Sequence, residues 1–155
     1  GRRISDTSYG PLFDDVQEEE DLASGTIYVL RSKLDHPVVN SSRDVIHKIG
    51  VTCGEVKRRI ANADNDPTYL MAGVEIVATY ELFNINSKKL ETLIHRFFDN
   101  AKMEIEIKDR FGKPVVPREW FLVPLFLIDE VVDKIKDGSL SDYIYDTQSA
   151  KLIKA

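Results

Sequence analysis

Three stretches of the chain are rich in β-branched and aromatic residues, and polar, turn-forming segments separate them. They are residues 26–31 (TIYVLR), 45–52 (VIHKIGVT) and 74–83 (VEIVATYELF). This composition is typical of β-strands, so the pattern predicts three strands. Residues 33–43 are polar and contain Pro37, which predicts a long loop between the first two strands.

Apolar residues at helical spacing follow the second and third strands. A short helix is predicted over residues 55–63 and a longer one from Asn86-Ser87 to about Lys102, with the Ser87 hydroxyl as N-cap. A third helix is predicted over residues 125–136 before Gly138, and residues 143–146 predict a short strand. The order predicts an α/β (α+β) domain, in which helices flank a small three-stranded antiparallel sheet.

Composition narrows the class of protein. A chain of 155 residues fits one domain with one core. A single cysteine excludes an internal disulfide, and with three histidines it gives no zinc-ligand spacing. The sequence contains neither a long apolar run nor a signal peptide, so we expect an intracellular, cytoplasmic protein without a membrane partner. The first residues, Gly-Arg-Arg, indicate a piece of a longer chain.

The charge is distributed unevenly along the chain. Residues 1–24 carry two basic and seven acidic side chains, which accounts for the whole net charge of −5. Such a run is typical of a solvated linker, although an acidic segment that covers a basic groove is an alternative. We therefore divide the chain into an acidic tail, 1–24, and a folded, electrically neutral domain, 25–155.

Four separated motifs carry a resemblance to a known family. They are Gly25-Thr26-Ile27-Tyr28, Lys48-Ile49-Gly50, Arg58-Arg59-Ile60, and Leu90-Glu91 with His95, followed by a late Glu119-Trp120-Phe121. In order and spacing they resemble the GIY-YIG nuclease superfamily, in the branch whose second motif reads KIG, over residues 25–124. The resemblance implies a metal-dependent endonuclease that hydrolyses phosphodiester bonds of nucleic acid, for which we expect DNA.

The resemblance also implies a set of site residues. Tyr28 takes the place of the family's first tyrosine, Arg58 or Arg59 that of its arginine, and Glu91 that of the ligand to one Mg²⁺ or Mn²⁺ ion. Lys48 stands where the superfamily usually has a second tyrosine. The lysine either activates the water itself, lowers the pKa of Tyr28, or binds phosphate, and the sequence leaves these three alternatives open.

Helical periodicity adds evidence that is independent of the resemblance. Arg59 falls at the edge of the apolar stripe of its helix and Arg58 faces water, so we predict Arg59 as the phosphate-binding arginine. Glu91 and His95 are four residues apart and share a polar face beside the core. His95 is a secondary candidate, which positions a phosphate, orients the metal-binding carboxylate, or is bonded into the edge of the core. His47 is predicted to be a buried structural residue.

Basic side chains near the motifs predict a nucleic-acid-binding surface. They are Lys57, Lys88, Lys89 and Arg96. Two other functions remain as alternatives: a catalytically inactive nucleic-acid-binding module on the same fold, and a protein-interaction domain that uses the acidic tail. We expect the domain to depend on a separate specificity module in the longer chain.

Overall fold

The computed structural model describes residues 24–83 and 85–155. Its strands are β1 (Ser24–Ser32), β2 (Ile46–Thr52), β3 (Val74–Phe83), β4 (Ile107–Lys108), β5 (Pro114–Val115), β6 (Trp120–Leu122), β7 (Tyr143–Asp146) and β8 (Lys151–Lys154). Its helices are α1 (Pro37–Ser41), α2 (Val56–Arg59), α3 (Ser87–Phe97) and α4 (Leu125–Asp137). The predicted acidic tail lies outside the described residues, apart from Ser24 at the start of β1.

The central sheet is antiparallel and has the strand order β3-β1-β2-β6. This confirms the predicted mixed α and β class and its antiparallel sheet, but the sheet has four strands, not three. The fourth strand, β6, spans only Trp120–Leu122 and follows a segment that contains Pro114 and Pro117. Three residues are too few for an alternating pattern to be visible, so the sequence indicated only a connecting segment there.

One face of the sheet packs against the two long helices. Ile27, Val29, Ile49 and Val51 lie on this face, where they join buried side chains of α3 and α4 in the largest apolar cluster. His47 shares the face and is fully buried, as predicted. Its Nδ1 donates to the Val123 carbonyl at 2.7 Å, and its Nε2 accepts from the Arg31 guanidinium.

The opposite face of the sheet is covered by shorter segments. Leu30 contacts Ala63 and Tyr69 from the region after α2. Ile46 and Trp120 pack with residues from α1 and from the chain that leads into β4. The Trp120 indole donates to the Thr68 carbonyl at 2.9 Å, which fastens the turn Pro67–Tyr69 to β6.

Several element boundaries differ from the predictions for local reasons. Helix α2 ends at Arg59, because residues 60–66 continue as tight turns and a 3-10 helix. The predicted loop 33–43 contains α1, which begins with a proline at its first position. The N-cap of α3 is Asn86, whose side chain accepts from the Lys89 amide, and not Ser87. Helix α4 ends at Gly138 in the left-handed conformation, as predicted.

The end of the chain forms a hairpin of β7 and β8, which confirms the predicted strand at residues 143–146. Among the described residues, no helix combines the length and the apolar character that a membrane span requires.

Candidate functional site

The first motif and the second motif meet across β1 and β2. Tyr28 lies directly opposite Gly50 in the register of the two strands. A Cβ atom at Gly50 would lie 2.4 Å from both Cζ and the hydroxyl oxygen of Tyr28, so the tyrosine ring lies over the glycine backbone. The glycine is therefore required by close approach, since any side chain there would occupy the space of the tyrosine ring.

Lys48 lies on the same face of the sheet as Tyr28, next to it across the strands. Its Nζ donates to Glu119 Oε1 at 2.6 Å and contacts the Tyr28 hydroxyl at 3.4 Å. The ammonium also lies 5.1 Å and 5.0 Å from the ring centroids of Tyr28 and Tyr69. The lysine side chain is only 1% exposed, so a carboxylate and two aromatic rings replace its hydration shell.

Helix α2 brings Arg59 to the same face. The guanidinium interacts with the hydroxyl groups of Tyr28 and Tyr69; partial burial opposes its charge, but these interactions outweigh burial and raise the pKa of Arg59. The Tyr69 hydroxyl also donates to the Arg59 carbonyl at 3.2 Å. Arg58 is exposed on α2. The structure thus places Arg59, rather than Arg58, beside Tyr28.

Both tyrosines of the site are held in their neutral form. Burial raises the pKa of Tyr28, although Tyr69 and the positive charge of Arg59 lower it in part. Burial likewise raises the pKa of Tyr69 to about 12. Of the three roles that the sequence left open for Lys48, a lowered pKa of Tyr28 is contradicted. Water activation and direct phosphate binding are both unfavourable, because the buried ammonium is already paired with Glu119.

Helix α3 supplies two side chains to the outer edge of β2. Strand β6 pairs with β2 only as far as Lys48, so within residues 24–83 and 85–155 no strand lies beside the backbone of β2 beyond that point on this side. The Glu91 carboxylate accepts from the Val51 amide at 3.2 Å, and His95 Nε2 donates to the Ile49 carbonyl at 2.6 Å. The polar face predicted for α3 therefore lies against this edge, with both side chains half-buried.

The residues present allow one weakly enclosed metal ion. In the described part of the chain, no group of three or more histidine, cysteine, aspartate or glutamate side chains could hold a metal. Glu91 uses one carboxylate oxygen for Val51, and its other oxygen has no hydrogen-bond partner among the described residues. Mg²⁺ is commonly held by one or two carboxylates together with water and substrate phosphates, so a single glutamate suits this mode.

A polar cleft of about 600 Å³ opens beside His95 and Glu119. Three basic side chains line it: Arg96, Lys102 and Arg118. Of the four predicted nucleic-acid-binding residues, Arg96 lies in this lining, while Lys57, Lys88 and Lys89 lie on the first turns of α2 and α3. Lys102 is paired with Asp99 at 3.0 Å, which leaves Arg96 and Arg118 as the exposed cations of the cleft.

Sequence reasoning missed two members of the site. Tyr69 belongs to a 3-10 turn that no motif marks, and its place beside Tyr28 depends on the fold of residues 60–73. Glu119 was recognised only as part of the late motif, without a role. A buried lysine requires a counter-charge, so burial of Lys48, had it been foreseen, would have pointed to a carboxylate nearby.

Comparison with known proteins adds two findings. Residues 25–136 match the T5orf172 domain, a family that is associated with endonuclease-like proteins. The chain is 44% identical over 135 residues to the uncharacterized protein YeeC of Bacillus subtilis (strain 168). That match covers 87% of this chain but 35% of YeeC, so the chain spans about a third of the length of this relative. No solved structure matches the chain.

The family match corrects the resemblance that the four motifs suggested. The matching family is T5orf172, which is distinct from the GIY-YIG family, and the assignment to GIY-YIG is wrong. Two unrelated proteins can share motifs of three or four residues by chance, or because of similar local geometry such as a tyrosine over a glycine. A match over 112 positions (residues 25–136) is much harder to reach in that way.

Proposed function

The chain belongs to the T5orf172 domain family, and from this premise we propose that it is a metal-dependent endonuclease acting on DNA. The observation that carries the proposal is the set of chemically complementary side chains gathered around strand β2. Tyr28, Lys48 and Arg59 converge on one face at β2, and Glu91 reaches the same strand from α3.

Arg59 is the phosphate-binding group in this proposal. Arg59 is an exposed residue of α2, and its partly buried guanidinium approaches the site beside Tyr28 and Tyr69. A guanidinium presents paired donors that match two phosphate oxygens, and it keeps its positive charge at every relevant pH. Arg59 would therefore hold the scissile phosphate and stabilise the charge that develops on it during attack by water.

Lys48 acts as a positioning residue. Because it is buried and bonded to both Glu119 and the Tyr28 hydroxyl, it fixes the distance between these two groups. The neutral Tyr28 hydroxyl is fully buried, so it acts on the attacking water indirectly, by contacting Lys48 at 3.4 Å and interacting with the Arg59 guanidinium. The carboxylate of Glu119, which is 32% exposed and lines the cleft, accepts the proton that this water loses.

Glu91 is the proposed metal ligand. A divalent ion bound there supplies Lewis-acid stabilisation of the phosphate oxygens. The bond of Glu91 to the Val51 amide fixes the carboxylate against the strand that carries Gly50 and Lys48, so the ligand is held on rigid backbone. His95 fastens α3 to the same strand and is a positioning residue.

Supercoiled plasmid tests the proposal. We expect nicking or linearisation with Mg²⁺ or Mn²⁺, complete loss of cleavage in EDTA, and loss of at least about 100-fold in the rate for Glu91→Gln. Glu130→Gln is a matched control, because Glu130 is exposed on α4, and it should cut at the wild-type rate. Plasmid retarded on a gel but never cut, with either metal, would contradict the nuclease and favour a binding module.

A further inference from the structure

A second surface beside the site combines an exposed aromatic ring with exposed basic side chains. The hairpin of β4 and β5 ends in the turn 109–112, whose Phe111 side chain is 74% exposed. Three exposed basic residues, Lys108, Arg110 and Lys113, surround it. The Arg110 guanidinium lies over the Phe111 ring, 5.0 Å from its centroid, so the cation and the ring are in contact at the tip.

The turn is closed by hydrogen bonds although its tip is exposed. Asp109 Oδ1 accepts from the amides of Phe111 and Lys113 at 2.8 Å and 2.9 Å. Gly112 adopts a φ of +80°, a left-handed conformation that suits glycine. Asp109, the acidic side chain of the turn, accepts both bonds through Oδ1, and the turn presents a basic and aromatic tip.

Opposite this tip lies the turn 62–67, and the two enclose an open cavity of about 530 Å³. Asn62 and Asn65 line it, and their side-chain amides make no hydrogen bond within the described part of the chain. Asp66 also lines it, but its carboxylate accepts from the Thr68 amide. The cavity thus combines an aromatic ring, a guanidinium and two free amides with the carboxylates of Asp66 and Asp109, each of which accepts from a backbone amide.

We propose that this cavity, with the hairpin tip, is a clamp for an unpaired base of the nucleic-acid substrate. The base stacks on Phe111, the amides of Asn62 and Asn65 bind its polar edge, and the basic residues of the hairpin bind the flanking phosphates. Stacking on an exposed ring requires a base that is free of its complementary strand. The substrate class is therefore single-stranded or locally unpaired DNA.

The clamp adjoins the proposed catalytic site through two shared segments. The turn Pro67–Tyr69 forms part of the cavity and also carries Tyr69 into the site. The hairpin leads directly through residues 116–118 to Glu119. This inference rests on the proposed nuclease function for its biological meaning, but base binding itself requires neither metal nor cleavage.

Fluorescence anisotropy in EDTA tests the clamp separately from the nuclease. The probes are a labelled single-stranded DNA 20-mer and a blunt duplex of the same sequence. Phe111→Ala should weaken single-strand binding at least about fivefold, because stacking contributes about 1–3 kcal/mol per base. Phe111→Trp should restore the affinity. Phe126→Ala removes a similarly exposed ring, 64% accessible on α4, and should change the affinity less than about twofold.

The basic residues have their own readout. Log affinity falls as log salt concentration rises, and the steepness of this fall reports the number of phosphate contacts. The triple substitution Lys108→Gln, Arg110→Gln and Lys113→Gln should make the fall shallower by about 2 for the single strand. Unchanged single-strand affinity of Phe111→Ala, an equal loss for single strand and blunt duplex, or no single-strand binding by wild type would each overturn the clamp. If the protein binds single strands as expected but never cleaves DNA, the clamp is supported and the proposed nuclease function is contradicted.

Discussion

The substitution Gly50→Ala probes the contact on which the site depends. The new Cβ would lie 2.4 Å from Cζ and from the hydroxyl oxygen of Tyr28, and 2.9 Å from Cε2. Carbon atoms in favourable contact are about 3.5–4.0 Å apart. Tyr28 is fully buried and bonded to Lys48, so the ring cannot move aside freely.

Two opposing effects determine the expected loss of stability. Alanine is better than glycine inside a strand by about 0.5–1 kcal/mol, because it restricts the unfolded chain. Overpacking of a core costs about 1–3 kcal/mol. Ordinary contacts are no shorter than roughly 3.5 Å. The new Cβ would lie more than 1 Å inside that distance from both Cζ and the hydroxyl oxygen of Tyr28, so the steric cost should dominate. We expect a net destabilisation of about 1–2 kcal/mol.

Urea unfolding and plasmid cleavage measure the two consequences. A displacement of the Tyr28 hydroxyl by about 1 Å should reduce the cleavage rate about 100-fold. Gly54→Ala is the matched control, because its new Cβ would meet only Thr52 Oγ1 at 3.9 Å. In a Tyr28→Leu background, Gly50→Ala should cost less than in wild type, since the ring is gone. Wild-type stability and cleavage by Gly50→Ala would refute the reasoning.

Three further perturbations follow from the site and the core. Glu119→Gln removes both the proposed proton acceptor and the counter-charge of the buried Lys48 ammonium, so the cleavage rate should fall at least about 100-fold and the urea midpoint should fall as well. Burial raises the pKa of Tyr69 to about 12, so the stability that the neutral Tyr69 hydroxyl contributes should be present below pH 10 and lost as pH rises towards 12. A pH series of urea midpoints should show this loss for wild type and not for Tyr69→Phe. Burial lowers the pKa of His47 from 6.5, so the stability that the neutral imidazole contributes should be present above pH 6.5 and lost as pH falls below it. The same series of urea midpoints should show this loss for wild type and not for His47→Gln.

The strands and long helices were predictable because their patterns are long. Ten residues of β3 and thirteen of α4 give enough periods to identify each element and its buried face. Strand β6 and helix α2 have three and four residues, so their formation depends on the surrounding fold rather than on local pattern. The same holds for the N-cap of α3, where Asn86 and Ser87 offer equivalent side-chain oxygens.

The site was predictable as a set of residues but not as an arrangement. The sequence contains no information on strand register, which is what places Tyr28 over Gly50 and beside Lys48. The burial of Lys48 was likewise invisible, because lysine is normally exposed. Glu119 and Tyr69 enter the site through that burial, so both were missed. The roles predicted for Tyr28, Arg59 and Glu91 stay predictions that their positions in the structure support.

The cleavage rate of supercoiled plasmid under single-turnover conditions tests the central claim most directly. The claim predicts that Tyr28→Phe and Arg59→Ala each lower the rate at least about 100-fold in Mg²⁺ or Mn²⁺. Tyr143→Phe and Arg58→Ala, matched changes on the distal hairpin and on the exposed side of α2, should retain nearly the wild-type rate. Equal rates for all four variants, or cleavage that persists in EDTA, would contradict the claim.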